Sequence, residues 1–263
     1  MYTHNLDPVL IDFGFIAIRW YSLAYIFGII LGWYLGKKII NHIIKDINLK
    51  FNIKEFDDLI TYLIISIIIG GRLGYVIFYN LSYYLANPSD IIKVWEGGMS
   101  FHGGLLGIIV ASIIFGKKNN QDPFIFMDQV SLVAPIGIFL GRLANFINSE
   151  LYGTTSDVPW SVIFIKVDNL SRHPSQLYEA VLEGIILFLI LMHFRKKKFL
   201  SKPGTISGLF LIFYSIFRFF VEFYRVPDDQ IGYVAFNLSI GQIISFVFLI
   251  IGTTIFYLKN ENK

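Results

Sequence analysis

"GRLANFINSELYG", residues 141–153, closes an apolar run that begins at Val130, "VSLVAPIGIFLGRLANFINSE". No loop-forming stretch separates the two. Arg142, Asn145, Asn148 and Glu150 therefore sit at one end of a greasy segment about as long as a bilayer crossing. In a soluble protein water would solvate them. In a membrane such groups face protein or a wet cavity, and they mark function more often than structure.

Composition points to the membrane. The chain has 263 residues, 55% hydrophobic, 17% aromatic and 16% charged. A soluble domain carries about 25% charged residues. The 263 residues hold no cysteine, so disulfides, thiolate metal sites and a cysteine nucleophile are excluded, and any sulfur chemistry belongs to a substrate. The net charge of +3 and the lack of a basic, aromatic-interleaved helix give no reason to expect nucleic acid. No two histidines stand at metal-ligand spacing with a carboxylate, so no metal is expected. The N-terminal "MYTHNLDPVLIDFGF" lacks the basic start and small-residue cleavage site of a signal peptide.

Windows of about 20 apolar residues predict an all-α integral membrane protein with about seven spans, near 16–36, 57–79, 101–116, 129–149, 176–194, 205–224 and 239–258. With no internal repeat, residues 1–263 read as one polytopic domain carrying a small extracytoplasmic head. Segment 39–56, "IINHIIKDINLKFNIKEF", reads as an amphipathic surface stretch. Lysines and arginines set the sidedness. Lys37, Lys38, Lys45, Lys50 and Lys54 follow the first span, Lys117 and Lys118 the third, Arg195 to Lys198 with Lys202 the fifth, and Lys259 and Lys263 the last. The alternate loops are poor in them, so the N-terminus is expected outside and the C-terminus in the cytoplasm.

That orientation sorts the polar residues by depth. Arg142 to Glu150 lie in the outer third of their span, Arg72, Tyr75 and Tyr79 in the outer half of the second, and Arg218, Glu222 and Arg225 near the outer end of the sixth. Tyr21, His102 and "RHPSQLYE" (172–179) mark the outer ends of the others. A transport path would continue polar groups through the midplane; a site open to the outer leaflet needs this layer alone. Helical spacing puts Arg142, Asn145 and Ser149 on one stripe, and Tyr214, Arg218, Glu222 and Arg225 on another. Outer-half arginines with few acids nearby predict surplus positive charge and an anionic partner, a phospholipid phosphate. The helix start at "SFHGG" adds the backbone N–H groups of Gly103 and Gly104 as phosphate donors. Structural readings stand beside these. Arg72 suits a brace onto an acid or helix-end carbonyls, Arg218 with Glu222 an ion pair, Asn145 and Asn148 interhelical hydrogen bonds, and Trp20 and Tyr21 an interfacial belt.

"GRLANFINSELYG", "RWYSLAY", "GGRLGYVIFYN", "VWEGGMSFHGG", "RHPSQLYE" and "FRFFVEFYRVPD" together, in this order, resemble the prolipoprotein diacylglyceryl transferase family. One departure is Ala144, where the family usually has glycine. The resemblance implies a bacterial inner-membrane enzyme with its site toward the outer leaflet. It moves the diacylglyceryl group of phosphatidylglycerol to the lipobox cysteine of a preprolipoprotein and releases glycerol phosphate. No cofactor is implied.

Such a reaction needs a base for a thiol of pKa about 8.5; His102 is the candidate and His173 the runner-up. It needs donors for the leaving phosphate, assigned to Arg142 and Arg218 with Asn145 and Tyr214. Tyr21 is expected near the head group. Glu150 and Glu222 orient the arginines, or Glu150 meets the glycerol hydroxyls. Asn148, Gly153, Arg72, Gly103, Gly104 and Arg225 complete the expected substrate contacts. Two other functions fit less well. One is a phosphatidylglycerol-dependent phosphoglycerol transferase, which would release diacylglycerol. The other is a lipid transporter.

Overall fold

The computed structural model describes residues 2–14, 17–47, 53–195, 201–227, 232–234 and 236–261, apart from the side chains of 43–47, 53, 96, 101 and 102. Lys50, Lys196, Lys197, Lys198 and Lys263, used for sidedness, lie outside the described residues, as does the side chain of Lys45. The protein is mostly helical. The helices are α1 (Trp20–Ile47), α2 (Ile53–Tyr79), the short α3 (Leu81–Ala86), α4 (Phe101–Lys118), α5 (Pro123–Ile147), α6 (Ser175–Phe194), α7 (Thr205–Val221) and α8 (Ile240–Glu261). Among the described residues, six helical segments are long and apolar enough to cross a membrane, in α1, α2, α5, α6, α7 and α8.

Several helix ends follow from local chemistry. Asp122 Oδ1 accepts the Phe124 N–H and Pro123 takes the first helical position, so α5 starts before the expected residue 129. Ser100 caps α4, its Oγ accepting the Gly103 N–H at 3.2 Å. Residues 39–47 of the expected surface stretch 39–56 continue α1 to Ile47, because nothing in "KKIINHIIKDI" breaks a helix, and 48–52 lie outside the described residues.

The chain divides into two compact units, one of Met1–Lys38 with Val130–Lys263, the other of Ile39–Gln129. In the second, α2 packs on α4 through glycines one turn apart on each helix, Gly70 and Gly74 against Gly103 and Gly107. A Cβ on Gly103 would lie 2.9 Å from the Gly74 Cα, and one on Gly70 would lie 3.1 Å from the Gly107 Cα. Small residues at this spacing let helix backbones touch where lipid offers no hydrophobic drive. Phe56, Leu59, Phe115 and Phe126 close the core of this unit, the last two rings packed edge to face at 4.9 Å.

In the first unit, α7 and α8 approach through Gly208 and Gly252, each of whose Cβ positions would fall about 3 Å from the other helix. Helix α6 is not uniform: Ala180–Ile186 is a π-helical turn, and Gly184 within it meets Phe139 of α5 with no room for a side chain. Beside these helices stands a small β layer. Strand β1 (Tyr2–His4) pairs parallel with β4 (Val162–Phe164), which pairs antiparallel with β5 (Ser171–Arg172), and β2 (Val9–Asp12) forms a hairpin with β3 (Ala17–Arg19). His4 anchors β1. Its ring is fully buried, edge-on to Phe146 at 4.8 Å and beside Phe164, and its Nδ1 lies 3.2 Å from Ser149 Oγ.

This packing is testable in two ways. Replacing Gly103 by valine forces α4 off α2 and costs about 1–3 kcal/mol, read as a lower midpoint of thermal unfolding in detergent. Gly141→Ala, where an added Cβ meets nothing within 4 Å, leaves the midpoint unchanged or raises it. The second concerns pH. Burial pushes the His4 imidazole below its ordinary 6.5. Above pH 6.5 His4 is neutral whether the chain is folded or unfolded, and its contribution is fully present. As pH falls below 6.5 the unfolded chain takes the proton first, and stability is lost down to the folded value. Because burial also lowers His173, the test compares wild type with His4→Gln between pH 7.5 and 5. The glutamine protein loses less of its midpoint on acidification. Equal losses would remove His4 as a source of the acid sensitivity.

Candidate active site

Three buried helix segments deliver a ladder of alternating charge. Arg142 reaches Glu179 Oε2 through Nε at 2.8 Å. The other oxygen of Glu179 accepts from Arg218 Nη1. Arg218 Nη2 donates to Glu222 Oε1, and Arg225 Nη1 meets that same oxygen at 3.0 Å. Glu183, one turn beyond Glu179, stands beside the ladder, with Oε2 3.4 Å from Arg142 Nη2 and Oε1 3.6 Å from Arg218 Nη1. Glu179 and Glu183 are fully buried. Of the three guanidiniums, Arg142 has the most accessible side chain, 18% against 10% and 8% for Arg218 and Arg225. Arg142 is therefore the group of the ladder best placed to meet an incoming anion.

The ladder corrects one expectation. Arg142 has no acid at helical spacing on its own helix, but α6 supplies two from outside it, so there is no surplus of positive charge: three guanidiniums meet three carboxylates. Sequence reading missed Glu179 and Glu183. The signal was available, since two acids four residues apart inside an apolar run share a helix face and are costly there unless paired.

Glu222 is held from a further side. Ser239 Oγ donates to its Oε2 at 3.0 Å, and a Cβ on Gly241 would lie 2.5 Å from its Oε1. The predicted stripe of Tyr214, Arg218, Glu222 and Arg225 thus forms at its charged end, with Glu222–Tyr224 tightening into a 3-10 turn. Tyr214 stacks on Phe210 at 5.7 Å.

The expected stripe of Arg142, Asn145 and Ser149 does not form. Helix α5 ends at Ile147, and Ser149 turns away with φ +58° to meet His4. Leu151 also adopts positive φ, +55°. The reversal brings Glu150 back over the helix end. Asn145 Nδ2 donates to its Oε2 and Asn148 Nδ2 to its Oε1, both at 3.2 Å, and Gln176 Nε2 donates to its backbone carbonyl at 2.6 Å. The result is an exposed carboxylate held by two amides at the C-terminal end of the helix that carries Arg142. Ala144 is buried at the base of this turn.

Gly153 is needed for close approach. A Cβ there would lie 2.6 Å from the Tyr224 carbonyl, and its N–H bonds the His173 carbonyl at 3.0 Å. The imidazole of His173 packs edge-on to Tyr224 at 5.1 Å. Tyr178 O–H lies 3.0 Å from its Nδ1, and Trp160 Nε1 donates to Tyr178 at 2.7 Å. An indole only donates, so the tyrosine hydrogen is free to be donated to His173 Nδ1 when that nitrogen is unprotonated. Burial lowers His173, so it stands as a neutral imidazole, the form a base requires. Tyr21, at the start of α1, packs on Tyr25 with ring centres 5.1 Å apart.

The second unit holds the remaining expected residues. Arg72 donates to four backbone carbonyls, of Asp90 (2.6 Å), Ile91 (2.8 Å), Gly97 and Gly98 (3.3 Å), and lies over Tyr84. A guanidinium so engaged braces the 88–98 loop rather than reaching for phosphate. The N–H groups of Gly103 and Gly104 are bonded to Ser100, so these glycines serve helix packing instead of anion binding. His102 is the second residue of α4; its side chain lies outside the described residues.

Comparison with known proteins identifies the family. A family model described as prolipoprotein diacylglyceryl transferase matches residues 8–258. Three similar proteins carry the name phosphatidylglycerol–prolipoprotein diacylglyceryl transferase. Those of Rickettsia felis and Rickettsia akari are each 48% identical over 250 residues, 95% of this chain and 95% of the relative. That of Rickettsia canadensis is 48% identical over 252 residues, 95% of this chain and 96% of the relative. With a match across nearly its whole length and the motifs in order, the chain belongs to the prolipoprotein diacylglyceryl transferase family.

Proposed function

We propose that this multi-pass membrane protein moves the diacylglyceryl group of phosphatidylglycerol onto the lipobox cysteine of preprolipoproteins, the first step of lipoprotein maturation. The observation that carries the reading is the buried ladder whose most accessible guanidinium is Arg142, on the helix whose end holds the Glu150 carboxylate through Asn145 and Asn148. In the reaction the thiol loses its proton to a base, and the thiolate attacks the glyceryl carbon of the lipid. The carbon–oxygen bond to phosphate breaks, and glycerol phosphate leaves with the electron pair. Arg142 takes the developing phosphate charge, with Arg218 behind it fixed by Glu179 and Glu222. Fixed donors of this kind act through preorganisation, since they need not reorient as charge forms. Glu150 is the proposed contact for the glycerol hydroxyls of the head group, which suit a carboxylate acceptor. On sequence position His102 remains the proposed base; His173, neutral and fixed by Tyr178, is the second candidate. Tyr21 is proposed beside the head group.

The charge pattern of the loops supports seven crossings, with α4 as the third, the N-terminus outside and the site toward the outer leaflet of the bacterial inner membrane.

Arg142→Ala lowers turnover at least about 100-fold, by the scale of a lost oxyanion donor, in a membrane assay with a lipobox peptide and labelled phosphatidylglycerol. His102→Ala does the same if His102 is the base, and glycerol phosphate is the released product. Near-full turnover of both variants in inserted, folded protein would falsify the assignment, and release of diacylglycerol would favour phosphoglycerol transfer.

A further inference from the structure

The ladder running Arg142, Glu179, Arg218, Glu222, Arg225 carries one net positive charge, the match of one phosphodiester. Glu183 is the odd member. It is fully buried, and its approaches to Arg142 and Arg218, 3.4 and 3.6 Å, are looser than the 2.8 Å of Glu179 to Arg142. Its Oε1, like Oε2 of Glu179, has no hydrogen-bond partner among the described residues, but the Glu179 oxygen has a guanidinium nitrogen at 2.8 Å and that of Glu183 none nearer than 3.6 Å. A carboxylate buried with an unbonded oxygen is expensive to keep, even beside cations. The groups that face it are Glu179 on its own helix, Arg142 from α5, and Arg218 and Tyr214 from α7. Its position is set by the π-helical turn, whose glycine at 184 seats it against α5. Such turns recur at functional sites.

We propose that Glu183 is a placeholder anion. In the lipid-free protein its carboxylate balances the ladder. When a phospholipid phosphate docks on Arg142, Glu183 takes one proton from solvent and gives up its charge, so that the ladder and the phosphate together are again neutral. Glu179 acts differently, because its two oxygens bridge Arg142 and Arg218, and no anion can replace that without parting them. The inference rests on the reading that phosphate binds at Arg142.

The test is calorimetric binding of short-chain phosphatidylglycerol to the full-length protein in micelles of an uncharged detergent. It is run in two buffers of different ionisation enthalpy, from pH 6 to 9. The wild-type protein takes up close to one proton per lipid, and affinity falls about tenfold per pH unit on the alkaline limb, the slope for one linked proton. Glu183→Gln, neutral at every pH, binds without proton uptake, with a flat profile and at least tenfold more tightly than wild type at pH 8.5. Glu179→Gln weakens binding at every pH and keeps the slope. Absence of proton uptake by the wild type overturns the proposal even if no variant folds, and a Glu183→Gln protein that keeps the wild-type slope overturns it too. Arg142→Ala separates the two readings. If it binds lipid like the wild type, the docking site itself is wrong; if it loses binding while the wild type takes up no proton, only the role of Glu183 fails.

Discussion

A guanidinium in an apolar surround must be paired, and this protein pairs three of them by sharing carboxylates. Each glutamate of the ladder serves two arginines, and Arg218 stands at the centre between Glu179 and Glu222. Sharing reduces the number of buried charges needed, but it makes every member depend on its neighbours. Removing one partner of a buried pair costs about 3–5 kcal/mol because the other charge is left alone. The ladder therefore fixes the relation of α5, α6 and α7 more tightly than apolar packing between lipid-facing helices would. It also fixes where the head begins, since Arg225 continues from the ladder into the isolated bridge with Gly153.

Short ion-pair distances require close backbones, and glycines supply them. Gly184 lets α6 press on Phe139 of α5, the helix that carries Arg142. Gly241 leaves space for the Glu222 carboxylate at the start of α8. Gly153 lets the chain pass between the backbones of His173 and Tyr224. These glycines and the charges form one design, because a Cβ at any of the three would move a group that the ladder or the backbone beside Arg225 holds in place. The N-terminal strand adds a lock from outside the helices, with His4 holding Ser149 while the chain reverses to present Glu150.

Hydropathy made the helices legible: the six long apolar ones stand close to where the windows placed them. Their ends were misread where capping outweighs hydropathy, as at "QDPF", in which Asp122 and Pro123 start α5 before the apolar window opens. Arg142, Arg218, Asn145 and Glu222 were recognisable because a polar group in such a run demands a partner. Glu179 and Glu183 signalled the same demand, but which arginines they pair with was not recognisable, since they meet Arg142 across 37 and 41 residues of chain and only the packing of α6 on α5 brings them together. Local spacing also failed at Ser149, where a left-handed backbone ends the helical period. Arg72 shows the converse: its outer position suggested phosphate, but four carbonyls of one loop had already claimed it.

A site already neutral cannot attract a lipid phosphate by net charge alone. In the proposed docking it offers instead a fixed guanidinium and, at the end of the same helix, a held carboxylate, so recognition depends on geometry: phosphate on Arg142 and hydroxyls on Glu150. That distinguishes a polyol-bearing anionic lipid from one with only a phosphate, because Glu150 repels a head group that presents charge where hydroxyls belong. The same pairing suits the proposed catalysis. Fixed guanidiniums attract the phosphate more strongly as its negative charge grows during bond breaking, and that difference lowers the barrier. Glu179 and Glu222 hold Arg142 and Arg218 in place, so the growing charge on the leaving oxygen meets donors that need not reorient.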